Sequence, residues 1–359
     1  MRRLIYTSCG LVLLSILCAD YAEAQRRRYK RPANDRNIAK YKGGRVNDLR
    51  GEAKNVFVGV SINAMNYFGD ITPLPKRLST DIGFTRSGFG VEIGKKFHPN
   101  ASARIGFNYG KIEASDFDTA DPTEGSSGLG RYQRNLSFEN TITELSLGFE
   151  FDLFPNYGGI GSRFNINPYI FIGLAGFTHD PKAIAPANDL FGNPLAEAGQ
   201  LVSLRDLGTE GQNTGIDSLP GKYSKIQLAI PVGIGVKAKL LTNLDVQLEF
   251  GLRQLFTDYL DDVSGKDVEL SLLDSELARA LAERGTETTD VVSGDTRDTN
   301  FYSQVTYRSP HNGEVYNIGQ EYSPGSVRGN IKDNDFYLVT QLRLVYYIQK
   351  GSKRRAKFR

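Results

Sequence analysis

Beyond residue 18 the chain has no cysteine, because its two, Cys9 and Cys18, both lie near the start. A disulfide framework, a thiolate zinc site and a cysteine nucleophile are therefore excluded for everything that follows. Long apolar runs are also missing after residue 25, so no segment there reads as a membrane-spanning helix. Histidine is scarce. His98, His179 and His311 are the three present, and none is placed with a serine in a nucleophile elbow. No glycine-rich phosphate loop precedes a helix. These absences leave no enzyme constellation, and neither a cofactor nor a small-molecule substrate is expected. The formal charge of +3 is close to balance, which argues against a nucleic-acid partner.

What is present begins with an export signal. Met1-Arg2-Arg3 is a short positive start, Leu4 to Leu17 is uncharged and apolar, and Ala22-Glu23-Ala24 has the small-x-small cleavage pattern. Residues 1–24 read as a signal peptide with Gln25 as the mature start. A lipoprotein signal ending at Cys18 is the rival reading, but it wants a small residue where Leu17 stands. The charge is uneven. Residues 25–54 form a basic segment opening with Arg26, Arg27, Arg28, Lys30 and Arg31, and the chain closes at 350–359 on a second cluster that includes Lys353, Arg354, Arg355, Lys357 and Arg359. Such ends are either solvated tails or docking surfaces for an acidic partner or anionic lipid head groups.

The strongest signal is a period of two. From Lys225 to Leu240, the residues Ile226, Leu228, Ile230, Val232, Ile234 and Val236 fall on one face, while Gln227, Gly233, Gly235, Lys237 and Lys239 fall on the other. A strand puts each set on one side; a helix would scatter both. The pattern repeats around Val246–Leu252, Leu145–Leu153 and Leu338–Ile348, and more weakly over 56–67, 86–97, 101–112 and 164–178. This gives eight strands of roughly ten residues or more, the length a tilted membrane strand needs.

The polar face mixes glycine with charges of both signs: Glu92, Lys96, Arg104, Glu144, Glu150, Lys237, Glu249, Arg253 and Arg343. In a membrane barrel the apolar face turns to lipid and this face fills the lumen. An eight-stranded barrel is just wide enough for side chains to fill it, so the expectation is a plug of cross-lumen ion pairs and no diffusion pore. Gly235, on that face, is expected to tolerate serine.

Connections alternate between short (near Pro99, 155–162 and 241–244) and long (68–85, 113–134, 179–222 and 257–334). The fold class is therefore all-β: an eight-stranded antiparallel up-and-down outer-membrane β-barrel over 55–349, with short periplasmic turns and long extracellular loops. Both basic ends then lie on the periplasmic side. The last loop carries Leu270, Leu273, Leu277 and Leu281 at helical spacing before Gly285, which predicts a short amphipathic helix over Val268–Gly285. Either it packs on the barrel mouth or it meets a partner.

The segment Asp258-Tyr259-Leu260-Asp261-Asp262-Val263-Ser264 follows the seventh strand at once. Three carboxylates in five residues suit a hard cation, but the central Gly and terminal Glu of a calcium loop are absent. Acidic groups bonded to loop backbone and to Arg328 are the preferred reading, and no metal site is expected. Together with Asn66-Tyr67-Phe68-Gly69-Asp70, with Arg328-Gly329-Asn330 and with Asn334-Asp335, this segment resembles the PorG-type outer-membrane barrels of the type IX secretion system of Bacteroidota. The resemblance covers most of 55–348. It implies a non-enzymatic barrel, embedded in outer-membrane lipid, that anchors a periplasmic ring of a lipoprotein and a second subunit in machinery for protein export and gliding motility. The basic ends, Arg26–Arg28, Lys30, Arg31 and Lys353–Arg355, would meet that ring. An OmpA- or OmpW-like barrel acting through its loops, or a small-solute porin, is the alternative.

Overall fold

The computed structural model describes residues 55–72, 81–157, 160–331 and 334–348. The expected signal peptide and both basic ends lie outside the described residues, as do the breaks between these ranges. The strands are β1 (Val56–Phe68), β2 (Arg86–His98), β3 (Ala101–Ser115), β4 (Ser137–Asp152), β5 (Ile166–Thr178), the short β6 (Lys182–Ile184) and β7 (Leu201–Ser203), then β8 (Ile226–Leu241), β9 (Leu244–Leu255), β10 (Gln304–Arg308), β11 (Val315–Gly319) and β12 (Phe336–Ile348).

Eight of them close a barrel. Each of β1, β2, β3, β4, β5, β8, β9 and β12 pairs antiparallel with the next in the chain, and β12 returns to β1. Closure removes every free edge. This is the architecture of an outer-membrane β-barrel with an up-and-down meander.

The alternation sorts the faces as expected. Ile62, Ile234 and Leu228 stand outward at 67%, 60% and 54% exposure, while Glu249, Lys237 and Arg343 point inward. Burying apolar side chains inside would reverse this. An apolar exterior around a charged interior is stable only where the outside is hydrocarbon. Exposed Phe97, Phe151, Phe154, Phe164 and Tyr346 gather near the rim of the short turns, where amphipathic and aromatic rings form a girdle at the membrane surface.

The turns on that rim are Pro99–Asn100, the segments 153–157 and 160–165, and Thr242–Asn243. At the opposite rim the β3–β4 ladder runs to Ser115 and Ser137, a little past the sequence-based limits. Its outward residues there are polar, with Lys111 Nζ 2.7 Å from Glu139 Oε1, so these strands rise above the apolar belt.

The expected Val268–Gly285 helix is broken. A 3-10 turn at Leu270–Leu272 is separated from an α-helix at Glu276–Ala282. Ser275 starts the latter by accepting the Ala278 N–H at 3.1 Å, which places a helix boundary where the leucine spacing shows none. Gly285 is not the helix stop. It is small because it presses on Gly319, where an added Cβ would stand 3.0 Å from the Gly319 Cα. Leu270, Leu273 and Leu281 are buried in the protein itself, so packing, not partner binding, uses that face.

Candidate functional site

Three layers fill the barrel axis. Next to the short turns, Phe57, Val345, Tyr347 and Ile160 form a small apolar layer. Above it lies a charged layer. Arg104 chelates Glu249 through two nitrogens at 2.7 and 2.8 Å and reaches Glu150 at 2.8 Å. Arg343 bonds Glu249 and Glu92 and lies 3.2 Å from Glu150. Lys237 bridges Glu150 and Asp152, both at 2.7 Å, and Lys96 adds Asp152 at 2.6 Å. Arg253 pairs with Glu144 at 3.2 Å, and Tyr337 donates to the same carboxylate at 2.7 Å. Seven of the nine lumen charges picked out from the sequence thus meet in one network, and Arg253 and Glu144 form a separate pair beside it. Asp152 was missed, although it shares a face with Glu150. With it, Lys96, Arg104, Lys237, Arg253 and Arg343 face Glu92, Glu144, Glu150, Asp152 and Glu249, and the layer is neutral.

Such a network is costly to form in a low dielectric but far costlier to break, because removing one partner strands the other. A void bordered by Glu92, Arg104 and Arg343 measures about 20 Å³, room for about one water. Glycines make space for the large groups. A Cβ on Gly235 would lie 2.4 Å from the Tyr169 ring, and one on Gly94 would lie 2.1 Å from Phe57. Serine at Gly235 therefore clashes, and the expected tolerance is corrected.

The third layer is a stopper. Leu260 and Val263 of the Asp258–Ser264 segment drop into the mouth and pack with Met65, Phe138, Phe177 and Tyr337. Asn140 Nδ2 holds the Leu260 carbonyl at 2.7 Å, and the Leu260 N–H donates to Asp335 at 2.9 Å. Tyr67 donates to Asp261, whose other oxygen accepts the Val263 N–H at 2.9 Å. Asp262 takes the left-handed backbone at φ 67°, which Asp tolerates better than most residues, and accepts from Thr209 and from Tyr223. Asp70 ties in the Asn330 N–H at 2.9 Å. Burial first, then the charge of Asp70, raises Asp261; burial and the charge of Asp261 raise Asp335. The motif residues are thus brought together as a structural latch. Among the described residues no cluster of three metal-ligating side chains occurs.

Arg328 differs from expectation. Its ion-pair partners are Glu210 at 3.4 Å and Asp267 at 3.7 Å, and it donates to the Ala282 carbonyl, not to the carboxylates of Asp258–Asp262. Neighbouring Gly329 lies against Ser264, whose Cα would be 3.0 Å from an added Cβ. Glu210, which accepts the Ser264 N–H at 3.0 Å, is pushed up to about 7 by burial.

Above the stopper the long loops fold into a cap with its own apolar core of Leu190, Val268, Leu270, Leu273, Tyr316 and Ile318. Buried Arg297 cross-links it, donating to the Tyr132 carbonyl at 2.6 Å and the Glu287 carbonyl at 2.7 Å, with its guanidinium 4.3 Å from the Tyr302 ring centre. Buried Arg284 pairs with Glu287 at 2.8 Å and reaches Ser137 at 2.9 Å. Apart from the leucine spacing of 270–281, nothing periodic in the sequence announces this cap.

Among family models, a domain of unknown function (DUF6089) matches residues 47–193. A search of curated proteins finds no match. Solved structures similar to this chain include Neisserial surface protein A, at 7% identity and TM-score 0.33 over 81% of this chain and 96% of that one. OprG from Pseudomonas aeruginosa gives 7% and 0.35 over 83% and 98%. A major outer membrane protein from Thermus thermophilus gives 11% and 0.35 over 82% and 99%. The barrel assignment stands on the strand pairing above.

Proposed function

We propose that this chain resides in the outer membrane as a non-enzymatic, non-conducting barrel and anchors a periplasmic ring of a type IX protein secretion machine. The observation that carries the non-conducting part is the neutral ion-pair layer, closed above by the Leu260–Val263 stopper. A porin needs a wet, open lumen, whereas an anchor needs only a stable insert. The apolar belt and the aromatic rim support the membrane location. The link to the secretion machine rests on the resemblance of the Asp258–Ser264 and Asn66–Asp70 segments, and the basic ends are the contacts it implies. Clustered cations steer an acidic ring subunit and hold it with salt-sensitive strength.

Two measurements test this. Purified barrel in planar bilayers should give no stable openings; nanosiemens steps would refute the sealed lumen. Neutralising Arg26–Arg28, Lys30, Arg31 and Lys353–Arg355 to Gln should leave insertion intact, remove the ring from outer-membrane pull-downs and stop export. Ring recovery at wild-type levels would end the role of the tails. The folded cap favours a second reading, an OmpA- or OmpW-like barrel that acts at the cell surface. Export unchanged in a strain lacking the chain would select it.

A further inference from the structure

Between the cap helix Gly125–Arg134, the end of β1 and the loop before β12 lies a cavity of about 300 Å³. Its size is at the small end of the usual range for ligand sites. Arg131, Arg134 and Arg328 line it, as do Asp70, Asp267, Glu283 and Glu321. Burial pushes the Glu283 carboxyl up to about 8, so at neutral pH three cations face three anions.

Two of the cations are also committed. Arg134 chelates Asp116 at 2.8 and 2.9 Å and donates to the Arg328 carbonyl. Arg328 is held by Glu210, Asp267 and the Ala282 carbonyl. Arg131 lies in the field of Asp116 and Glu124, opposed by that of Arg134. An entering anion would gain no net field and would have to compete with carboxylates already in place. The lining also includes Asn330, Asn334, Ser126 and Ser127, residues that can both donate and accept. One side is aromatic: Phe68 and Phe336 stack at 4.8 Å and 10°. Mixed donors and acceptors beside an aromatic pair match a ligand that carries many hydroxyls, no charge and one apolar face.

We propose that this cavity binds a neutral sugar, one pyranose ring or the end of a short glycan. The site faces the cap side of the barrel, and the proposal does not depend on the anchor reading.

The test uses the full-length folded barrel in a detergent without a sugar head group, such as an amine oxide. Saturation-transfer NMR is run with methyl glucoside, methyl galactoside and methyl N-acetylglucosaminide, and with glucuronate and inorganic phosphate as charged probes. At least one neutral glycoside should receive saturation, and Ser127→Trp should weaken it about tenfold or more, while heat-modifiability on gels stays normal. Ser127 is exposed, so an indole there fills the entrance without breaking a cap bond. Glu321→Ala, which removes an exposed acceptor, should weaken the same signal and serves if the tryptophan variant does not fold. No transfer to any of the three glycosides overturns the proposal. So does transfer unchanged in both variants, or tighter binding of glucuronate or phosphate.

Discussion

Replacing Glu249 with leucine separates a dry lumen from a wet one. Glu249 is fully buried and accepts from two nitrogens of Arg104, from Arg343 and from Tyr169 at 2.8 Å. Without it Arg104 keeps Glu150 at 2.8 Å and Glu92 at 3.5 Å, and Arg343 keeps the same two acids. The ten-charge layer becomes five cations against four anions. In a sealed low-dielectric lumen, one stranded charge costs about 3–5 kcal/mol. In a water-filled lumen the same pair is screened and its loss costs about 0–1 kcal/mol. The gap of about 2–5 kcal/mol corresponds to roughly 30- to 4000-fold in the folding constant, well outside experimental error. Urea unfolding in lipid vesicles, read by the heat-modifiable gel shift, measures it. The double variant Glu249→Leu, Arg104→Leu restores balance and should recover about 0.5–3 kcal/mol relative to additivity. A cost below about 1 kcal/mol for the single variant, or strict additivity of the pair, would refute the sealed-lumen argument.

Three further outcomes are expected. Ile234→Arg and Leu248→Arg place a cation against lipid and should each cost about 2–4 kcal/mol in the same assay, whereas Gly148→Ala, whose Cβ would rest 3.4 Å from Arg104 Nε, should be mild; equal tolerance of all three would mean the faces are reversed. The Glu283 carboxyl, raised by burial to about 8, binds its proton more tightly folded than unfolded, so its contribution is complete below about pH 4.5 and is lost as pH rises towards 8. Hydrogen exchange around residues 283–319 should therefore speed up across that window, and Glu283→Gln should flatten the dependence; an unchanged profile in the variant would assign it elsewhere. Single cysteines at Asn193 and Asn243 should label in intact cells with an impermeant maleimide at Asn193 and not at Asn243, and the opposite pattern would invert the topology.

The barrel was legible because two solvents, lipid and a packed polar lumen, impose opposite chemistry on alternate residues. That rule is local, so Ile226–Leu240 displays it without knowledge of any partner strand. The charged lumen was legible for the same reason: Glu249 and Arg343 sit in apolar strands where only an inward position tolerates them. Most of the cap was not legible. Arg297 bonds the Tyr132 carbonyl across 165 residues of chain, and Arg328 meets Glu210 from another loop. Such contacts leave no period. Gly235 misled because glycine reads as open space, whereas here it is the hollow that receives the Tyr169 ring. The leucine spacing of 270–281 was real burial, but Ser275 capped the helix midway.

The two ends of this barrel are energetically isolated from each other. A signal passing along the lumen would have to part Arg104 from Glu249 and Arg343 from Glu92, and lift Leu260 out of the mouth. Each buried pair broken costs about 3–5 kcal/mol. Moving a two-state equilibrium from 1:99 to 99:1 takes about 5.5 kcal/mol of differential binding, and two such pairs together exceed that before the stopper is counted. A sugar held in a small neutral cavity binds too weakly to supply it. Ligand at the cap and a protein partner at the short turns would therefore act independently: saturating the cavity should leave the periplasmic affinity unchanged. The ion-pair layer that seals the barrel is also what prevents it from acting as a gate.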